Sequence, residues 1–323
     1  MKNRVALFAQ ALVSIGLLAW LFRGLDRHAL AALLLSLPAW FFAASLAVVL
    51  AGQVLYAWRW GRLLNASGVP LPNREILRHY FVAIFANNFM PGTIGGDVIK
   101  IYYVGREHGY RSVTASVIVD RILGIGVLAA AGASVGWLRP GLGPRFAAAR
   151  LAMTLVTGVS AVLLGLAMSG TGGLVQRLVP LGPRAVALAG RLQRLRHSMA
   201  ASLSRPVVFA QAAAVVVVYF IGLTMVYMWF IELNALPPPS FGSLFVAVTA
   251  VAVLSNIPIA VNGLGVREQL HAWLLAPLGI PREIAVAISL LLYGHLLVGS
   301  LLGLMGWLRA PALPVDVAEQ VGM

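Results

Sequence analysis

Cysteine is absent from this sequence, which excludes disulfides and thiolate metal sites and leaves the redox compartment unread. Charge is scarce: 11% of the 323 residues are charged, against about 25% in a soluble domain. Acidic residues are scarcer still, 10 Asp+Glu beside 24 Lys+Arg. The chain has no Gly-rich phosphate loop leading into Lys-Ser/Thr, so ATP hydrolysis is not expected. It lacks His-x-x-x-His and His-Glu-x-x-His metal patterns, the Gly-x-Ser-x-Gly of a serine hydrolase, and the Asp-x-Asp of a metal-dependent glycosyltransferase. No cofactor, metal or catalytic residue is therefore expected, and the chain does not read as an enzyme.

What remains is apolar. Hydrophobic residues make up 60% of the chain and its mean hydropathy is +0.89. Such a chain cannot cover its apolar surface in water, so lipid must be its solvent, and no room is left for a sizeable soluble domain. Residues 1–323 read as a single membrane domain. A net charge of +14 would suggest nucleic acid on a soluble protein. Here the cations fall between apolar runs, membrane topology explains them, and nucleic acid is not an expected partner. The start, Met1 to Arg4 followed by an apolar run, resembles a signal peptide. Trp20-Leu-Phe-Arg23 is too bulky for a cleavage site, so a retained first span is expected.

A membrane helix needs about 20 mostly apolar residues, and six stretches qualify: about 5–22, 37–58, 112–138, 147–169, 207–231 and 284–307. Trp20, Trp40, Trp58, Trp60, Trp137, Trp229 and Trp307 lie near their ends, where interfacial aromatics belong. Two further apolar segments, Tyr80 to Asp97 and Leu244 to Gly265, begin as helices and then meet Asn, Pro and paired glycines. Pro removes a backbone donor and Gly admits positive φ. Broken backbone at membrane depth survives only where protein or water satisfies it. Both segments are therefore expected to be re-entrant hairpins, with tips at Pro91, Gly95 and Gly96 and at Pro258, Gly263 and Gly265.

The hairpins resemble each other: Phe81-Val-Ala-Ile and Phe245-Val-Ala-Val open them, and a Pro followed by glycines breaks them. Each half then reads span, span, hairpin, span, about 1–140 and 147–308, with a short cytoplasmic tail at 309–323. Three spans per half is odd, so the second half must be inverted, a recurring transporter plan. The fold class expected is thus an all-α polytopic membrane protein of six spans and two re-entrant hairpins in two inverted repeats. With the N-terminus inside, 16 of the 24 basic residues fall on the inner side, seven on the outer, and Arg121 within a span. That bias predicts both termini in the cytoplasm and residence in the inner membrane. The run Arg177 to Arg205 reads as a basic amphipathic stretch lying on the anionic inner leaflet.

Ionisable groups at membrane depth cost roughly 2.5–3.5 kcal/mol each, which makes them functional candidates. Asp120 and Arg121 lie inside a span; Asp97 and Lys100 follow the first glycine pair; Arg267 and Glu268 follow the second. Lys100, Arg121 and Arg267 would bind an anionic headgroup, and Asp97, Asp120 and Glu268 would hold those cations or exchange protons. Asn87, Asn88 and Asn262 complete the candidate set, and with Asn256 they read as caps of broken helix ends more than as substrate contacts. The competing view makes the interfacial charges snorkel to water and Asp120–Arg121 a buried structural pair. His295, mid-span with no visible partner, is expected to be structural.

Asn87-Asn-Phe-Met-Pro-Gly-Thr-Ile-Gly-Gly-Asp-Val-Ile-Lys100, Ser116-Val-Ile-Val-Asp-Arg-Ile-Leu-Gly124 and Gly263-Leu-Gly-Val-Arg-Glu268 resemble the transmembrane region of lysylphosphatidylglycerol synthases, the flippase-like or UPF0104 family, over about residues 5–308. The resemblance implies a lipid-translocating or lipid-handling domain. In bifunctional members that domain precedes a soluble aminoacyl-transferase domain; this sequence stops at Met323 without one, so lipid synthesis is not expected of it. Two departures stand out: Lys100 occupies a position where Arg is usual, and Pro258-Ile-Ala-Val-Asn262 replaces the usual Pro-Gly-Gly. The substrate therefore does not carry over. The function expected is a flippase-like transporter of an anionic phospholipid or polyprenyl lipid, with membrane lipids as partners and a second copy or a lipid-modifying enzyme as protein partners. A membrane enzyme or accessory subunit acting on lipid-linked substrates is the alternative.

Overall fold

The computed structural model describes residues 26–89, 95–169, 183–256 and 263–309, with residues 16, 19, 20 and 23. Among these the chain is helical, without strands. Among the described residues five helices are long and apolar enough to cross a membrane: α2 (Ala39–Ala66), α5 (Tyr110–Trp137), α6 (Pro144–Met168), α8 (Pro206–Leu233), and α11 (Arg282–Ser300) extended through a tight turn at Leu301–Gly303 into α12 (Leu304–Leu308). At about 1.5 Å per residue, the 28 residues of α2, α5 and α8 exceed the roughly 30 Å hydrocarbon core. They match five of the six expected spans; the first, 5–22, lies almost wholly outside the described residues. A short helix, α1 (Arg27–Leu35), precedes α2 and packs on α11.

The two glycine segments are indeed pairs of short helices. The first pair is α3 (Asn73–Phe89) and α4 (Gly95–His108); the second is α9 (Phe241–Leu254) and α10 (Val266–Leu275). Each of these helices is only about 15–25 Å long, too short to cross. The members of each pair pack along one another. Gly96 lies against Ala83 and Asn87 so closely that a Cβ would collide with the Ala83 carbonyl oxygen. The bends, with Pro91, Pro258 and Asn262, lie outside the described residues. Gly109, at φ 95°, and Gly279, at φ 79°, turn the second arm of each hairpin into the next long helix, a backbone region that glycine enters without penalty.

The long helices divide by burial. In the most apolar window of α5, 56% of residues are buried, against 17% in α6. α5 is central because its small residues let neighbours approach: Gly126 abuts Ser160 of α6, and Gly132 abuts Thr249 of α9 and Met153 of α6, the small-residue packing that membranes favour. α6 instead turns Leu151, Leu155, Val159 and Val162 outward, as a helix facing lipid should. α2 and α8 run antiparallel: Trp40 meets Trp229 edge-on at 6.4 Å, while Tyr56 meets Tyr219 at 5.1 Å.

Two expectations are corrected. Trp60 is not an interfacial anchor; it is fully buried, and its indole Nε1 donates to Ser116 Oγ at 3.2 Å. The basic stretch does not simply lie on a leaflet. Its described part is α7 (Pro183–Leu203), whose end docks on the bundle, Leu203 and Met199 packing with Leu63, Val119 and Leu123.

Candidate functional site: a charged groove between the hairpins

A cavity of about 370 Å³ opens where α2, α5, α8, α9, α10 and α11 converge. Most of its wall is apolar, with Val49, Leu128, Phe220, Leu223 and Val251 among the lining residues. Into this apolar space project Arg59, Asp120, Arg121 and Arg267. A smaller chamber of about 200 Å³ adjoins it along the first hairpin, lined by Tyr80, Asn87, Gly96, Asp97 and Lys100 and sharing Asp120 and Arg121 with the larger one. The sequence-expected charges from both hairpins thus reach one connected region.

Their pairing differs from the expectation. Asp120 does not pair with its neighbour Arg121. Its Oδ1 accepts from Arg59 Nε at 2.7 Å, and its backbone oxygen from Arg59 Nη2 at 3.4 Å. Both side chains are nearly buried, 7% and 9% exposed, and the Arg59 guanidinium lies over the Tyr56 ring at 4.7 Å. Arg121 instead reaches Asp97 Oδ2. Asp97 Oδ1 also takes the Lys100 ammonium at 2.8 Å, and that ammonium sits over the rings of Trp60, 5.2 Å, and Tyr80, 5.4 Å. Lys100 is thus no snorkelling surface charge, and it and Arg59 leave the inner-side tally of cations; removing both leaves the excess on the same side. Arg59 is the residue sequence reading misplaced: a span drawn to end at 58 put it in water, whereas α2 runs on to Ala66.

The second hairpin builds its cluster more locally. Glu268, wholly buried, accepts from Arg267 Nη2 at 2.7 Å and from Ser289 Oγ of α11 at 3.1 Å. Its Oε2 accepts the Gly265 N–H at 2.7 Å, tying the first turn of α10 back onto the bend, where Gly263 (φ 72°) and Gly265 (φ 84°) have positive φ. Arg267 also stacks on Tyr293 at 4.5 Å. One turn on, His271 Nδ1 lies 2.7 Å from the Arg267 carbonyl oxygen and must donate to it, because a carbonyl only accepts. Nε2 of the neutral ring then accepts from Tyr227 O–H. This buried Tyr227–His271 pair was missed at the sequence level. The i, i+4 spacing from Arg267 to His271 was its one visible trace.

Of the remaining candidates, Asn87 lines the smaller chamber, and its buried Oδ1 has no hydrogen-bond partner among the described residues. Asn88 lies beside it at the end of α3 and lines neither chamber. Gly95 and Gly96 start α4. His295 is buried and meets the edge of Phe42 at 6.4 Å, while its Nδ1 has no hydrogen-bond partner among the described residues.

Chemically, the groove can hold an anion. Arg59, Lys100, Arg121 and Arg267 face Asp97, Asp120 and Glu268, so four cations meet three carboxylates and one positive charge is in excess. Among the described residues no three His, Asp or Glu side chains gather to hold a metal.

Length, hydropathy and helix packing therefore define a polytopic α-helical membrane protein with a charged groove at its centre. More particularly, the model of the family described as lysylphosphatidylglycerol synthase TM region matches residues 7–303, and the chain belongs to that family. It is also 30% identical over 76 residues to a UPF0104 membrane protein of Pyrococcus horikoshii, a match covering 22% of this chain and 23% of that protein.

Proposed function

We propose that the chain moves a lipid with a monoanionic phosphate headgroup across the cytoplasmic (inner) membrane, the headgroup passing through the charged groove and the tails along its apolar wall. The observation that carries this reading is the single excess positive charge in a mainly apolar cavity. Charge at that depth is expensive unless balanced; Asp97 is shared by two cations, Lys100 and Arg121, and a phosphate would balance the remaining charge. Guanidinium groups suit it, since their planar fork matches phosphate oxygens.

Inverted symmetry supports the reading. If α2, α3, α4 and α5 correspond to α8, α9, α10 and α11, each packing contact among these eight helices has its counterpart. α2–α3 answers α8–α9, α4–α5 answers α10–α11, α5–α9 answers α11–α3, and α5–α8 answers α11–α2. The matched helices α2 and α8 run antiparallel, as an axis in the membrane plane requires. The hairpins are then re-entrant, the first from the inner face and the second from the outer, with both termini inside. Each carboxylate is held by a cation, so proton exchange would first have to break an ion pair. The reading is therefore downhill movement, and transport rather than covalent chemistry.

The test is scrambling of fluorescent anionic phospholipid in proteoliposomes, wild type beside Arg121→Ala, with melting temperature as the check on folding. The expected result is transport by wild type and none by a folded Arg121→Ala protein. Equal transport by both would remove the groove from the mechanism.

A further inference from the structure

A second chamber, about 690 Å³, lies away from the groove, at the open end of the first hairpin. Arg74 and Arg78 from α3, Arg106 near the end of α4 and Arg309 after α12 line it together with Glu75 and Glu107. Glu107 is matched to Arg106 at 3.6 Å, so the formal balance leaves two positive charges, where the groove leaves one. One wall is Leu302 and Met305, 62% and 60% exposed, as side chains turned to lipid should be. The inner wall is Phe81, Val82 and buried Tyr103.

The chamber joins two bodies. Beneath it α3 and the end of α11 touch through glycine: a Cβ on Gly303 would collide with the Phe81 carbonyl oxygen, and one on Gly306 with Val82. Around that contact the arginines come from α3, α4 and the residue after α12. Nothing in the transport reading uses this space.

We propose that this chamber binds the headgroup of a dianionic phospholipid, one carrying two phosphates, and so clamps the first hairpin to the end of α11. Two excess charges match two phosphates, and arginine forks suit phosphate oxygens. The exposed Leu302 and Met305 give acyl chains a ledge that a free phosphate would not use. With the topology above, the chamber faces the inner leaflet, whose anionic lipids gather at such basic pockets.

The experiment is native mass spectrometry of the purified full chain with added cardiolipin or phosphatidylglycerol, comparing wild type, Arg78→Ala/Arg309→Ala and Arg145→Ala. Losing charged hydrogen bonds to a phosphate should lower cardiolipin retention by about tenfold or more in the double variant. Wild type should retain cardiolipin over phosphatidylglycerol, and Arg145→Ala, at a cation that lines neither this chamber nor the groove, should behave as wild type. If the double variant does not fold, Arg309→Gln alone, at an exposed position, serves in its place. Equal retention of the two lipids, undiminished retention by the folded variants, or displacement of cardiolipin by inorganic pyrophosphate at equal concentration would each overturn the proposal. The assay reads binding without regard to transport, so its failure and that of the groove are separate results.

Discussion

Removing Arg59 should damage this protein more than removing any surface cation, and removing its partner as well should repair most of the damage. Arg59 and Asp120 are 2.7 Å apart with 7% and 9% of their side chains exposed, so neither can turn to water when the other is lost. Arg59→Met would leave Asp120 as an uncompensated carboxylate in a low-dielectric space, a loss of about 3–5 kcal/mol. At about 1.5 °C per kcal/mol for a chain of 323 residues, the melting temperature in mild detergent should fall by roughly 5–7 °C. Replacing both members, Arg59→Met with Asp120→Leu, removes the stranded charge. Buried pairs exchanged for apolar side chains are often neutral in stability, so the double variant should melt near wild type. The groove keeps its excess charge in the double variant, because one cation and one carboxylate leave together. The measurement is a thermal melt of the four proteins of the cycle. A single variant that melts within about 2 °C of wild type, or a double variant as unstable as the single, would refute the idea that this pair is buried and mutually dependent.

Gly303→Val should destabilise by about 1–3 kcal/mol, since its side chain would be driven into the Phe81 backbone. Gly158→Ala, with nothing within 4 Å of the added Cβ, should leave the melting temperature unchanged or slightly raised, because alanine is the better helix former. Tyr227→Phe would remove the donor to buried His271 Nε2 while keeping their stacked rings, 5.8 Å apart. It should cost about 1–3 kcal/mol in stability and leave lipid binding intact, which a melt and a binding titration would separate.

How much of this was legible in the sequence follows from what each signal encodes. Span length is written in the apolar runs, and five of the six expected spans have their helices because hydrocarbon thickness fixes the length. The hairpins were legible because Pro and paired Gly end a helix wherever it lies. Charge pairing was not. Asp120 and Arg121 are adjacent in sequence, yet successive residues on a helix do not face each other. Asp120 points to α2 and Arg121 to α4, and their partners lie 61 and 24 positions away. Only packing decides such distances. Arg267 and Glu268 do pair although adjacent, because Glu268 sits at the start of α10, where Gly265 N–H and Ser289 fix its carboxylate within reach. Trp60 was misread for the same reason as Arg59: an apolar run shows where a span begins more clearly than where a mixed stretch such as Trp58-Arg-Trp60 stops being buried.

The groove's two halves, one at each hairpin, carry different charge, and on the transport reading this sets which arginine should hold the lipid. In the first half Arg59, Lys100 and Arg121 meet Asp97 and Asp120, so the excess charge belongs there. In the second half Arg267 and Glu268 balance. Arg121 is the most open of the four cations, 43% exposed, whereas Arg267 is 19% exposed and its partner Glu268 is wholly buried. Arg121→Ala should therefore weaken binding of an anionic lipid with little change in melting temperature, since Asp97 keeps Lys100. Arg267→Ala should do the reverse: it strands a buried carboxylate at a cost of about 3–5 kcal/mol, while the excess charge stays in the first half. Titrating both variants with one labelled anionic lipid, alongside their melts, separates the roles. An Arg267→Ala protein that melts like wild type but no longer binds lipid would place the headgroup at the second hairpin and overturn this assignment.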